Sequence, residues 1–234
     1  MSVRLDVLAD PAATCAELMV STAHAGGHIV LTGGSTPRDA YQRAADSRDA
    51  WTDATLWFGD ERCVPPDDDL SNFKLADEAL FKRLGAVRLT VHRMRGELGP
   101  AAGADEYERE LLDVGPPRFD LLLLGLGPDA HIASLFPDQE SLSERSRLVV
   151  GVEQAGLEPF VPRVSMTLKA LTLARSIVFL VAGESKADAV AAAFGPDAQP
   201  DPHFPASLLP PLAGEVTVLL DEAAASRIPA GETP

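Results

Sequence analysis

The sequence predicts an α/β protein, a three-layer αβα sandwich built on a mainly parallel, Rossmann-like sheet. Three observations predict it. Short apolar runs alternate with helix-periodic segments almost from end to end, the pattern of parallel strands joined by right-handed crossovers. One run, Leu121-Leu122-Leu123-Leu124, is apolar without interruption, as a strand enclosed on both faces must be. Finally, four polar clusters (residues 33–38, 60–62, 129–131 and 183–186) each follow an expected strand. In a parallel sheet such clusters meet at the carboxyl edge, where open α/β sheets bind ligands.

The elements follow in order. Residues 3–8 alternate like an edge strand, and Asp10-Pro11 opens a helix through Cys15, Leu18 and Met19. Residues 28–32 form the next strand. Gly33-Gly34-Ser35-Thr36-Pro37-Arg38-Asp39 then supplies two glycines for a tight turn, a hydroxyl N-cap, Pro at the first helical position and a carboxylate three residues after Thr36. A helix through Tyr41 follows. Such a loop can seat a phosphate on its amides and hydroxyls, although it is neither a Walker loop nor a dinucleotide fingerprint.

A strand over 55–58 runs into a carboxylate-rich loop over 59–69, whose charge run ordinarily means a solvated turn. Asp67-Asp68-Asp69 lacks the glycine and terminal glutamate of a calcium loop, so no metal is assigned. Ser71 caps a helix with an apolar stripe of Phe73, Ala76, Leu80 and Leu84. A strand over 87–92 and a helix over about 104–112 lead to the run of leucines. Beyond it, 147–152, 162–167 and 176–182 read as strands, and a helix follows Lys186 to Phe194. Residues 195–211, with six prolines, are mostly loop with one helical turn near 206–209. The last strand is 215–220, the last helix 221–226, and the tail over 229–234 is expected to fray.

Composition sets bounds on function. The 234 residues show no shift in composition, so one domain over 1–234 is expected. No apolar run approaches the roughly 20 residues of a membrane helix, and no basic-then-apolar leader opens the chain, so a cytoplasmic protein is expected, with no membrane partner. Cys15 and Cys63 lack metal-ligand spacing and read as free thiols. A formal charge of −15 disfavours nucleic acid. An anionic ligand must therefore be held by local cations and helix N-termini, because global charge is screened beyond about 8–10 Å.

The leucine strand ends at Gly125-Leu126-Gly127-Pro128, and this turn delivers Asp129 and His131. A neutral imidazole can take a proton from water near pH 7, and a carboxylate two residues away is a candidate to orient it. Histidines 24, 28, 92 and 203 have no charged neighbour on a shared face and read as structural, while Tyr41, Trp57 and Phe73 read as core. Lys186, at the start of a helix after a glycine turn, is a stronger site candidate than Lys169.

Five blocks carry a resemblance: Leu31-Thr32-Gly33-Gly34-Ser35-Thr36-Pro37; Phe58-Gly59-Asp60-Glu61-Arg62-Cys63-Val64-Pro65 with Ser71-Asn72-Phe73; residues 119–137; Pro162-Arg163-Val164-Ser165; and Gly183-Glu184-Ser185-Lys186-Ala187. Spread over about 160 residues, they resemble the 6-phosphogluconolactonases, in the superfamily that also holds glucosamine-6-phosphate deaminase. The resemblance implies hydrolysis of 6-phospho-D-glucono-1,5-lactone in the pentose phosphate pathway, with no metal or organic cofactor. It implies that His131 is the base, and that Gly33, Gly34, Ser35, Thr36, Arg163 and Lys186 hold the phosphate. Asp60 and Asp129 join His131 as candidate catalytic groups. Arg62 is a substrate-binding candidate for either end of the ligand. The expected assembly is a monomer or small homo-oligomer.

One departure is Ala130, where the family's usual Asp-Gly-His has glycine. A negative φ, harmless to alanine, is expected there. Two other readings are open. A deaminase would carry glutamate where Phe136 stands and tyrosine where Arg62 stands. A sugar-phosphate sensor would ordinarily carry a helix-turn-helix, for which the residues before the first helix leave no room.

Overall fold

The structure is a computed structural model that describes residues 3–114 and 118–229. β1 (Val3–Val7) leads to Asp10, whose carboxylate accepts from the Ala13 amide at 3.1 Å and caps α1 (Pro11–His24). β2 (His28–Leu31) leads through the glycine loop to α2 (Pro37–Ala44), and β3 (Thr55–Phe58) is followed after one residue by β4 (Asp60–Arg62). α3 (Asn72–Ala76), a π turn over Asp77–Phe81 and α4 (Lys82–Leu84) run on without a break. Then come β5 (Thr90–Val91), α5 (Pro100–Asp113), β6 (Leu121–Leu124), β7 (Val149–Val152), β8 (Arg163–Met166), α6 (Leu168–Leu171), β9 (Ser176–Val181), α7 (Ala187–Phe194) and β10 (Glu215–Leu220).

Seven strands form one sheet in the order β1-β10-β9-β6-β2-β3-β5, with every pairing parallel. The expected parallel α/β fold is present, with β1 at an edge and helices flanking the sheet. β6 lies at its centre, and all four of its leucines are buried. Two buried tyrosines help to end β2 and β3. The Tyr41 hydroxyl donates to Thr32 O at 2.7 Å and accepts from Thr32 N at 2.9 Å, while the Tyr107 hydroxyl accepts from Phe58 N at 2.9 Å. Each hydroxyl satisfies backbone groups at the carboxyl edge.

A second sheet, β4-β8-β7, is antiparallel, and it decides two points that the sequence leaves open. Residues 60–62 are not a solvated turn: Asp60 and Glu61 are only 6% and 3% exposed, because β4 pairs with β8. The strands foreseen over 147–152 and 162–167 exist, but they belong to this second sheet. Period-two patterning identifies a strand without naming its partner. Gly59 joins the sheets, its amide donating to Leu31 O at 3.0 Å and its carbonyl accepting from Met166 N at 2.8 Å.

Other boundaries differ locally. The strand over 87–92 shrinks to Thr90–Val91, and the helix expected from 104 starts at Pro100, directly after Gly99. The single turn near 206–209 is found at Pro205–Leu208. Residues 221–226 are hydrogen-bonded turns rather than a helix. Asp221 divides its carboxylate between the Ala224 amide (2.7 Å) and the Gly183 amide (3.0 and 3.1 Å), which ties the segment back to the end of β9. Of the tail expected to fray, residues 230–234 lie outside the described residues.

Among the histidines, His92 has a charged partner after all, with its Nδ1 2.6 Å from Glu110 Oε1 and its ring stacked on Trp57 at 3.9 Å. His203 likewise lies 2.8 Å from Asp201. Cys15 and Cys63 are free thiols; burial pushes the first up to about 12 and, together with the nearby Glu61, the second up to about 11. No helix among the described residues is long and apolar enough to cross a membrane.

The helix start at Ser71 is held twice, its hydroxyl accepting from Lys74 N at 3.1 Å and donating to Glu61 Oε2 at 3.0 Å. Ser71→Ala is therefore expected to lower stability by about 1–2 kcal/mol in urea denaturation.

Candidate active site

At the carboxyl edge of the parallel sheet lies a cavity of about 240 Å³. The four clusters converge on it. Gly33, Gly34, Ser35, Thr36, Asp60, Arg62, His131, Arg163 and Lys186 all line it, and Asp129 stands beside His131. Arg62 and Arg163 arrive from the second sheet, as paired residues of β4 and β8.

The glycine loop differs from expectation in one respect. Thr36 has helical backbone angles (φ −61°, ψ −44°), and its hydroxyl makes no capping bond. The amides of Gly34, Ser35 and Thr36 likewise carry no hydrogen bond among the described residues. Three N–H groups and two hydroxyls are thus left without protein partners on residues that line the cavity at the start of α2, an arrangement that suits an anion. Gly33 is required by close approach, since a Cβ there would collide with the Asn72 amide oxygen.

After β6, the chain reverses so tightly that Gly127 N donates to His131 O at 3.0 Å. A Cβ at Gly127 would strike the His131 ring. Asp129 Oδ1 lies 2.6 Å from His131 Nδ1 and accepts from the His131 amide at 3.2 Å. With Nδ1 engaged, Nε2 is the ring atom left for other partners. Burial acts to raise the Asp129 pKa, but the hydrogen bond and charge of His131 outweigh it and hold the carboxyl below the usual carboxylate range. The Phe136 ring packs on the imidazole, with centroids 4.5 Å apart.

Ala130 overturns the expectation of a harmless negative φ. It sits at φ +59°, and Ala133 (+49°) and Asp138 (+59°) follow in the same left-handed region. Alanine is strained there. The turn keeps its shape because Ala130 is fully buried and hydrogen-bonded on both sides: its N–H donates to Gly127 O at 3.0 Å, and its carbonyl accepts from Ala206 N at 3.0 Å.

The cations are left to the cavity. Among the described residues, Arg62, Arg163 and Lys186 form no ion pair. Arg163, 4% exposed, donates to Val161 O (3.1 Å) and Pro159 O (2.8 Å). Its pKa is lowered by burial and by the neighbouring Arg62. Burial also lowers that of Lys186, against the pull of Asp129. Each of these costs is relieved by an incoming anion. Lys169, in contrast, bonds the Ser146 carbonyl away from the cavity.

Sequence reasoning missed three supporting residues. Glu61 accepts from the amides of Arg62, Asn72 and Phe73 and from Ser71 Oγ, at 2.7–3.0 Å, and so fixes β4 to the start of α3. Asn72 and Ser134 both bond Asp60, at 3.0 and 2.6 Å. All three lie within the recognised blocks, but nothing in the local pattern around Ser134 gives it a partner or a role. No group of three or more His, Cys, Asp or Glu among the described residues could hold a metal ion.

A sequence profile of the glucosamine-6-phosphate isomerases/6-phosphogluconolactonases matches residues 5–218. The chain belongs to this family. It is 41% identical over 216 residues to a 6-phosphogluconolactonase of Mycobacterium leprae, covering 86% of this chain and 85% of that one. It is 35% identical over 232 residues to a 6-phosphogluconolactonase of Synechocystis, covering 95% and 94%. The solved 6-phosphogluconolactonase of Trypanosoma cruzi superposes with a TM-score of 0.81 at 26% identity, covering 97% of each chain.

Two outcomes are expected. Ala130→Gly should raise stability by about 1 kcal/mol in denaturant, since glycine adopts positive φ without the Cβ clash. Because the folded Asp129 pKa is depressed, its stabilisation is present above the unfolded value near 3.9 and lost as pH falls through the folded value. The melting-temperature gap between wild type and Asp129→Asn should therefore be widest above the unfolded value and narrow as pH falls below it.

Proposed function

We propose that this chain hydrolyses 6-phospho-D-glucono-1,5-lactone to 6-phosphogluconate, the second step of the oxidative pentose phosphate pathway. The observation that carries the reading is the Asp129–His131 pair facing an amide loop and three cations across one cavity. The names of the curated relatives agree with it.

In this reading, the amides of residues 34–36, the Ser35 and Thr36 hydroxyls, Arg163 and Lys186 hold the phosphate. Asp129 keeps the proton of the imidazole on Nδ1, so Nε2 can take one from a water as its oxygen attacks the lactone carbonyl. The bond from the carbonyl carbon to the ring oxygen then breaks, and the imidazolium returns its proton to that oxygen, which leaves as a hydroxyl. The product is the open acid, which ionises in water. Arg62 is available to offset the negative charge that develops on the carbonyl oxygen. The deaminase alternative lacks support at Phe136, because a phenyl ring beside His131 cannot move a proton.

Acid release from freshly prepared lactone, measured above the spontaneous background, tests the proposal. His131→Ala should lower kcat by about 10²–10⁴-fold. Lys186→Ala should raise KM about tenfold or more while leaving bound lactone reactive. Turnover by His131→Ala at the wild-type rate would refute the assignment.

A further inference from the structure

The carboxylate of Asp60 is 6% exposed and hydrogen-bonded at both oxygens: Oδ1 accepts from Asn72 Nδ2 at 3.0 Å, and Oδ2 accepts from Ser134 Oγ at 2.6 Å. These two partners serve opposite ends of the cavity. Asn72, 2% exposed, also donates to the Asp60 carbonyl at 2.9 Å, and its amide oxygen presses on Gly33, the first glycine of the anion loop. Ser134, fully buried, lies three residues after His131 and beside the strained Ala133; its amide donates to Ser165 Oγ at 3.1 Å. Anion loop and histidine turn are thus linked through three buried residues, Asn72, Asp60 and Ser134.

Resting on the lactonase reading, we infer that Asp60 is a positioning residue, which through Asn72 and Ser134 fixes the distance between the phosphate-holding loop and His131. Each of its oxygens is committed to a buried partner, one beside the anion loop and one in the histidine turn, as suits a brace between the two. Its effect is on register. A substrate anchored by its phosphate meets Nε2 only if the two anchors keep their spacing, and a displacement of about 1 Å costs on the order of 10²-fold in rate. The spacing matters far less for a lactone without a phosphate, which settles against the histidine untethered. Left-handed residues at Ala130 and Ala133 make the turn prone to relax once the Ser134 bond is gone.

The test compares wild type, Asp60→Asn, Ser134→Ala and the double variant on the phosphorylated lactone and on unphosphorylated glucono-1,5-lactone, each above its spontaneous background. Inorganic phosphate affinity is measured by calorimetry, and melting temperatures identify any variant that fails to fold; Ser134→Ala, the milder change, decides alone if Asp60→Asn does not fold. On the phosphorylated lactone, each single variant should lose about tenfold or more in kcat, with KM and phosphate affinity within threefold of wild type. The double variant should be no slower than the slower single one, because both remove the same link. The ratio of rates on the two lactones should fall in every variant, and the pH profile of Asp60→Asn should keep the shape of the wild-type profile. Losses that multiply in the double variant, equal slowing of both lactones, or a changed shape of the pH profile in Asp60→Asn would overturn the inference. A wild type inert on the phosphorylated lactone would instead refute the function itself.

Discussion

The burial of β6 constrains everything around the cavity. Four leucines sealed on both faces, with β9 and β2 as parallel neighbours, leave the chain no polar exit except at the carboxyl edge. The reversal that follows has to be tight, and its tightness places the His131 ring against Gly127 and the Asp129 carboxylate against Nδ1. A looser connection would give the imidazole several orientations. The apolar strand thus acts on the histidine through geometry alone, by fixing where the turn begins.

The second sheet solves an electrostatic problem. A chain of charge −15 repels anions at long range, and salt screens that repulsion over about 8–10 Å. Attraction has to be local. The crossing at Gly59 sends β4 to pair with β8, which sets Arg62 beside Arg163 at the cavity without a carboxylate bound to either. Two like charges side by side in a partly buried place are costly in the empty protein. An anion offsets that cost, which adds this wall to the attraction of the glycine loop and Lys186.

Much of this was legible from sequence because the determinants are local. Glycines, hydroxyls and a proline mark the anion loop, and an apolar run ending at Gly-Leu-Gly-Pro marks the histidine turn, whatever their partners are. The sign of φ at Ala130 was not legible: it depends on how the carbonyl is received by Ala206, a residue far along the chain. Nor was the second sheet, since 60–62 looks like a charge run until the antiparallel partner at 163–165 is known. Ser134 escaped notice for the same reason. Its importance comes from a carboxylate 74 positions earlier in the chain.

The two sulfurs have a chemical consequence of their own. With Cys15 at about 12 and Cys63 at about 11, only about one thiol in 10⁴ or fewer is ionised at neutral pH. Peroxides and alkylating reagents act on the thiolate, so neither position offers them a ready nucleophile. Burial thus makes both thiols slow to react, a passive chemical protection that comes with the packing.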